Sequence, residues 1–372
     1  MRITDVSVTL WVWNDIPPTR YTTAVASSAS RTTHLGLLRI ATDDGPDGHA
    51  FIGSAMGPAD RDAAFVISSL KPLLMGEDPL ARERIWQAMM HRTRGTMLRA
   101  IGAVDVALWD LAGRATGLPI HRLMGSNRTS VPAYASSAVL DTPDDYAAEA
   151  LHHQATGWTA YKIHPPADPD LDIEICRTVR DAVGPDYRLM LDSTWSYDYP
   201  QALRVGQAVQ ELGFYWYEDP LADDDLYGYV KLKQHLGVPI MATEMPQTGP
   251  TAYAPWLMNQ ATDYLRGDVA IKGGLTSCLK TAHTAETFRL NYEVHHGGNS
   301  LNNVANLHLI MALANCEYFE VLLPDEAQKH GLVSDITVDA EGLVHAIDAP
   351  GLGAEIDHDL IADNTVEVLR GR

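Results

Sequence analysis

Three carboxylates stand at an even beat: Asp192, Glu218 and Glu244 follow one another at intervals of 26 residues. The beat continues through Asp268, His295 and Glu320, at gaps of 24, 27 and 25 residues. Each closes a short apolar run (RLMLD, FYWYE, IMATE, YLRGD, YEVH, EYFE), and a helix-like stretch comes after. A period of this size is one strand plus one helix. Six ionisable residues therefore fall at the C-terminal ends of six successive parallel strands. In a closed (β/α) barrel those ends share one mouth, where catalytic residues collect. Three convergent carboxylates repel one another unless a cation neutralises them, and hard oxygen ligands suit Mg²⁺. Acidic residues also cap helices at strand–helix junctions, and any one of the three alone reads that way. Three in consecutive units read as a metal site.

Asp268 and His295 fall on neighbouring strands. A carboxylate bonded to one ring nitrogen fixes the tautomer and raises the basicity of the other, which is the form of an acid/base dyad. His283, His296 and His308 read as structural; His296 is the rival for the dyad but faces the other side of its strand. Lys162 and His164 are two residues apart on one strand and point the same way, into the barrel. Lys162 reads as a base with its pKa drawn towards neutrality, or as a contact to a substrate carboxylate. The alternative is a pairing with the metal carboxylates. Glu320 is expected to be protonated, by burial among other carboxylates, and to donate to a developing oxyanion. Its alternative is an ion pair with Lys162.

The elements that must position these groups are visible in the pattern. From Val131 to about Leu323 there are eight candidate strands: VPAYAS, TAYKIH, RLMLDS, YWYED, PIMATE, YLRGDVA, YEVHH and YFEVLL. Five helical links stand out between them, several closed by glycine, as parallel strands require. Residues 1–125 do not follow the beat. MRITDVSVTLWVW, THLGLLRIAT and HAFIGSA read as an antiparallel meander, with helices after it. RAIGAVDVALWDLAGRATG is the clearest helix, with Ile101, Val104, Leu108 and Leu111 on one face and Gly117 and Pro119 as its stop. The division is thus an α+β domain over residues 1–125, a barrel over 126–330, and a segment over 331–372 packing back on the first domain.

The 372 residues suffice for a barrel and a second domain. A formal net charge of −20 argues against nucleic acid and against an anionic membrane. It does not forbid an anionic substrate, since a local metal can dominate a pocket. Cys176, Cys278 and Cys316 are widely spaced and form no CxxC, so a reducing cytoplasm fits better than a disulfide framework. The first residues read as a strand rather than a signal peptide, and no apolar run reaches a membrane span.

These residues together resemble the enolase superfamily, mandelate racemase subgroup. The resemblance covers most of the chain and rests on DVALWDLAGRATGLPIHRLMG, YKIH, LMLDS, WYEDP, MATE, GDVAIKGGLT, EVHH and FEVLL. It implies an α+β capping domain over a (β/α)7β-type TIM barrel. It implies Mg²⁺ held by Asp192, Glu218 and Glu244, with a substrate carboxylate on that metal and abstraction of the α-proton to give an enediolate. It implies the Asp268–His295 dyad as one acid/base, groups from Lys162 and His164 on the opposite face, and Glu320 at the oxyanion. Two departures stand out. The subgroup usually shows Lys-x-Lys where this chain has Lys162-Ile163-His164. An asparagine commonly stands where this chain has Thr194. The first departure weakens two-base racemisation and favours an acid-sugar dehydratase, in which one histidine also protonates the leaving β-hydroxyl.

The function expected from the sequence is dehydration of a small sugar acid to a 2-keto-3-deoxy acid, in a cytoplasmic homo-oligomer. A racemase, epimerase or cycloisomerase on the same substrates is the alternative, and a non-catalytic carboxylate-binding relative is another. Substrate contacts are expected from Arg20, Tyr21 and His34 in the first domain and Trp195 and Tyr197 after the third barrel strand. Asn299 and Asn302, after the seventh, join them. The segment from about Asn14 to Thr33 is expected to be a lid.

Overall fold

The computed structural model describes residues 1–23, 32–95, 98–244 and 249–371. Residues 24–31, in the expected lid, lie outside that set. Near the N-terminus, β1 (Ile3–Trp13), β2 (Thr33–Thr42) and β3 (Gly48–Ile52) form the antiparallel meander. The barrel follows: β4 (Ser130–Ser136), β5 (Ala160–Ile163), β6 (Arg188–Asp192), β7 (Trp216–Glu218), β8 (Ile240–Ala242), β9 (Tyr264–Gly267), β10 (Asn291–Val294) and β11 (Phe319–Leu322). Two strands remain, β12 (Leu343–His345), antiparallel to β4, and β13 (Thr365–Leu369), antiparallel to β1.

Strands β4 to β10 pair in chain order and in parallel, and β11 returns to pair with β4. Short runs such as WYE and IMA are buried at every residue, as strands covered on both faces must be. Among the described residues no ladder joins β10 to β11. One backbone bond, from the Tyr292 N–H to the Asn315 carbonyl at 2.8 Å, crosses near that seam, and side chains bridge it further. The buried Glu293 carboxylate accepts the Glu317 N–H at 3.1 Å, and Glu320 accepts the His296 N–H at 3.0 Å.

Two helical links were not visible as amphipathic patterns: Ala254–Met258, which is short, and Ser300–Ala312. In Ser300–Ala312 11 of the 13 residues are buried, so apolar residues surround the helix and no period emerges. The helix Leu98–Thr116 departs from expectation in the same way: 15 of its 19 residues are buried, not one face. It is wedged between the meander and the barrel. Trp109 Nε1 donates to Thr276 Oγ1 at 3.0 Å, and Asp105 accepts the Thr276 N–H at 2.8 Å. Gly274 precedes the helix Leu275–Thr287 with no side chain to cap it, so Asp105 of the cap serves as that cap across the domain boundary. A Cβ on Gly274 would lie 2.3 Å from the Asp105 carboxylate, which explains the glycine. The cap is thereby fixed over the exit of β9. Among the described residues no helix is long and apolar enough to cross a membrane.

Candidate active site

The C-terminal ends of the barrel strands and the cap enclose a cavity of about 290 Å³. Asp192, Glu218 and Glu244, from β6, β7 and the exit of β8, each bring a carboxylate oxygen within 4.8 Å of the others, all buried. Three carboxylates with no softer donor among them are the hard oxygen set that suits Mg²⁺, and these three residues would hold it. Electrostatics favour the ion as well. Burial and the charges of Asp192 and Glu218 push the Glu244 carboxyl up, against the help of His295 and Arg266. Asp219, next to Glu218, is pushed well up by burial and the same carboxylates. A divalent cation relieves both.

The backbone beside each ligand is strained. Thr194 (φ 45°), Trp195 (φ 61°), Asp219 (φ 42°) and Thr243 (φ 83°) are all in the left-handed region that side chains avoid. Such strain, roughly 1–3 kcal/mol per residue, persists only where surrounding structure over-determines it. At Thr194 it turns the backbone N–H onto Asp192 Oδ1 at 3.0 Å, orienting that carboxylate.

Lys162 lies under the triad, 3.1 Å from Asp192, 3.0 Å from Glu218 and 2.7 Å from Glu320. Burial and Arg266 oppose its charge, but Glu218 and Glu320 outweigh them and raise its pKa well above the lysine norm. These contacts favour the alternative reading, a cation paired with the triad carboxylates, over a neutral-range base. At Glu320 burial favours the proton, yet Arg266 and Lys162 hold the carboxyl well below the usual carboxylate range. The ion pair with Lys162 at 2.7 Å is the reading these contacts favour over a protonated donor.

Arg266 was missed in the sequence. It is fully buried on β9, two residues before Asp268, with Glu218 beside its Nε and Glu320 2.6 Å from Nη2. The spacing was the available signal, since residues two apart on a strand share a face.

His295 Nδ1 is 2.5 Å from Asp268 Oδ2, and Nε2 is 3.6 Å from Glu244. Burial alone lowers its pKa; the Glu244 charge and the Asp268 hydrogen bond reverse this and raise it to about 9. His296 does not line this cavity. Its ring packs on Phe319, and burial pushes its pKa down to about 3. His164, from the exit of β5, has Nδ1 2.7 Å from the Ser137 carbonyl and Nε2 3.1 Å from Asp192. A carbonyl can only accept, so Nδ1 carries a proton and Nε2 faces the site. Going round the ring, β5 and β10 are three strands apart one way and five the other.

The expected substrate residues divide. Tyr21 lines the cavity, packs 5.3 Å from the His164 ring and is held by Gln328 Nε2 at 3.2 Å. Trp195 lines it too, with a buried indole N–H that has no partner among the described residues. Arg20 is exposed and outside the lining, and its carbonyl accepts the Val139 N–H at 2.7 Å. His34 also lies outside the lining. It is on β2 with its ring 3.0 Å from Asp60. Tyr197 is turned away onto Asp172. Asn302 lines the cavity, and Asn299 caps the helix Ser300–Ala312 while bonding the Gly53 carbonyl of the cap at 2.8 Å.

A capped barrel with three carboxylates on consecutive strands and a histidine–aspartate pair beyond them defines a class, and comparison with known proteins agrees. Residues 7–125 match the mandelate racemase / muconate lactonizing enzyme N-terminal domain, and residues 145–360 the enolase C-terminal domain-like family. The chain belongs to the enolase superfamily. A crystal structure of D-glucarate dehydratase from Agrobacterium tumefaciens, complexed with magnesium, is 34% identical with a TM-score of 0.88, covering 99% of this chain and 100% of that one. D-galactarolactone cycloisomerase from Agrobacterium fabrum is 29% identical, over 90% of this chain and 91% of its own. Arabinonate dehydratase from Saccharolobus solfataricus is 27% identical, over 95% and 96%.

Proposed function

We propose that this chain is a Mg²⁺-dependent acid-sugar dehydratase. One observation carries the reading: His295, paired with Asp268, opens on the same cavity as Asp192 and Glu244 of the triad, and Lys162 and His164 from β5 line it as well. Names of relatives at 27–34% identity, two dehydratases and a cycloisomerase of sugar acids or their lactones, support the substrate class. Mg²⁺ held by Asp192, Glu218 and Glu244 supplies Lewis-acid stabilisation of negative charge on the substrate carboxylate.

The chain's own groups do the rest. Lys162 adds a fixed positive charge beneath that carboxylate. Neutral His295 Nε2 takes the α-proton, and Asp268 holds the resulting imidazolium in place. The electron pair of the broken C–H bond moves into an enediolate. His295 then returns its proton to the β-hydroxyl, the C–O bond breaks, and water leaves. The enol that remains becomes a 2-keto-3-deoxy acid. Because Glu244 helps raise the His295 pKa, engaging that carboxylate with a cation frees the imidazole to act as a base near neutrality.

His164 supports a second reading. Its Nε2 faces the cavity from the far side, so the enediolate can gain a proton there, giving an epimerase or cycloisomerase. The two separate experimentally. Acid sugars incubated with the Mg²⁺-loaded protein should yield 2-keto acids detectable with semicarbazide. His164→Ala should leave that yield standing and abolish any exchange at the opposite face of the α-carbon, read by proton NMR in D₂O. Epimerised or ring-opened acids without 2-keto acid would favour the second reading.

A further inference from the structure

The turn after β6 is held rigidly. The Trp195 N–H donates to the Asp219 carbonyl at 2.7 Å and the Tyr197 N–H to the Pro220 carbonyl at 3.2 Å, so two backbone bonds tie the turn to the exit of β7. The Tyr197 hydroxyl anchors its far end on Asp172. Thr194 is β-branched, and a β-branched residue at φ 45° stands only where such bonds impose it. The turn presents the Trp195 ring to the cavity. Its indole N–H is buried and has no partner among the described residues. The indole N–H groups of Trp86, Trp109 and Trp216 are answered, by the Gly273 carbonyl at 3.1 Å, Thr276 at 3.0 Å and Glu218 at 3.0 Å. Trp11 shares the lack of a partner but is packed in the core, outside the cavity lining.

A buried indole N–H usually finds an acceptor, and leaving it without one is costly. It only donates and carries no charge, so it suits a neutral oxygen with a free lone pair. In the ring of eight strands β6 and β10 stand four places apart either way, so the turn that carries Trp195 faces the exit that carries His295. On the proposed function, on which this step rests, the C1 carboxylate goes to the metal side and His295 works on the proton of C2 and the hydroxyl of C3. We infer that Trp195 is a specificity-determining residue: its indole N–H binds a hydroxyl of the substrate chain at C4 or beyond, and the cavity thereby prefers acids hydroxylated there to their deoxy counterparts. Phe51, Ile52, Ile271 and Leu322, whose side chains belong to the same lining, offer such a hydroxyl nothing.

The probes are 2-hydroxyhexanoate and a set of 3-deoxyhexonates that differ in configuration at C4 and C5. All share the chain length and the α-hydroxy acid end, none has a β-hydroxyl to lose, and only the second kind carries hydroxyls from C4 on. Trp195→Phe keeps an aromatic ring and drops the donor. In calorimetric titration of the Mg²⁺-loaded protein it should weaken at least one 3-deoxyhexonate about two- to tenfold, the range for a neutral hydrogen bond. It should leave the affinities for 2-hydroxyhexanoate and Mg²⁺ unchanged. A second measurement needs no variant: of the 8 indole N–H signals in the NMR spectrum of the unaltered protein, one should move downfield with that 3-deoxyhexonate and stay in place with 2-hydroxyhexanoate. Trp195→Phe weakening both kinds of probe alike overturns the inference, because Trp195 then shapes the wall or serves the common acid end. So does a variant that weakens neither, or a set of indole signals that answers both kinds of probe identically. The inference and the proposed function fail separately. A loss confined to the 3-deoxyhexonates, without α-proton exchange on any acid sugar, sinks the chemistry and leaves Trp195 standing. Dehydration of acid sugars with both kinds of probe indifferent to Trp195→Phe does the reverse.

Discussion

Glu244→Gln is expected to abolish turnover and weaken Mg²⁺ binding by more than about a hundredfold. Loss of a mere hydrogen-bond partner of a ligand typically costs 10–100-fold, and this variant removes a ligand charge itself. Glu244 is a cleaner choice than Glu218. Glu218 also answers Lys162 at 3.0 Å and the Trp216 indole N–H at 3.0 Å, so neutralising it leaves buried partners uncompensated as well. The check is calorimetric titration of Mg²⁺ with thermal melts alongside. Mg²⁺ should raise the melting temperature of the unaltered protein by mass action, and do so far less in the variant. Metal affinity and rate both unchanged in Glu244→Gln would remove the triad from the account.

His295→Asn is expected to lower dehydration by about 10² to 10⁴, the usual cost of losing a general acid/base. The side chain removed both takes the α-proton and protonates the leaving hydroxyl, so the upper end of that range is anticipated. Asparagine keeps a polar group beside Asp268, and metal affinity should hold. Steady-state formation of 2-keto acid gives the rate. The informative residue of activity is exchange: if His164 reaches the α-carbon, slow exchange with D₂O survives in His295→Asn and disappears when His164→Ala is added. Dehydration at the unaltered rate in His295→Asn would transfer both proton movements to the β5 side.

Where the sequence was legible, it was so for a geometric reason. Parallel strands end at one mouth, and each of Asp192, Glu218 and Glu244 follows a buried apolar run by one step, so period and residue type sufficed. The same logic located Asp268 and His295. Charge states were not legible, and the cause is one residue. Arg266 stands two before Asp268 on the same face, and once it is overlooked the interior seems to hold carboxylates against a single lysine. A proton on Glu320 and a depressed Lys162 then follow naturally. With Arg266 present, two cations face those carboxylates: Lys162 is 2.7 Å and Arg266 2.6 Å from Glu320, and Arg266 also meets Glu218. Arg20 and His34 were placed at the mouth from loop position alone, which fixes neither the direction of a side chain nor its partner, and Asp60 holds His34 outside the lining. The helix Ser300–Ala312, buried nearly all round, had no period to read.

The central claim is that this cavity labilises the proton next to a substrate carboxylate. Proton NMR in D₂O with Mg²⁺-loaded protein and a panel of acid sugars follows that proton alone, whatever product forms. The α-proton signal of at least one acid sugar should disappear, with one deuterium appearing at C3 of a 2-keto-3-deoxy acid, and nothing should happen in Glu244→Gln. An α-proton that persists through product formation, or a panel left wholly unexchanged with Mg²⁺ bound, would contradict the account.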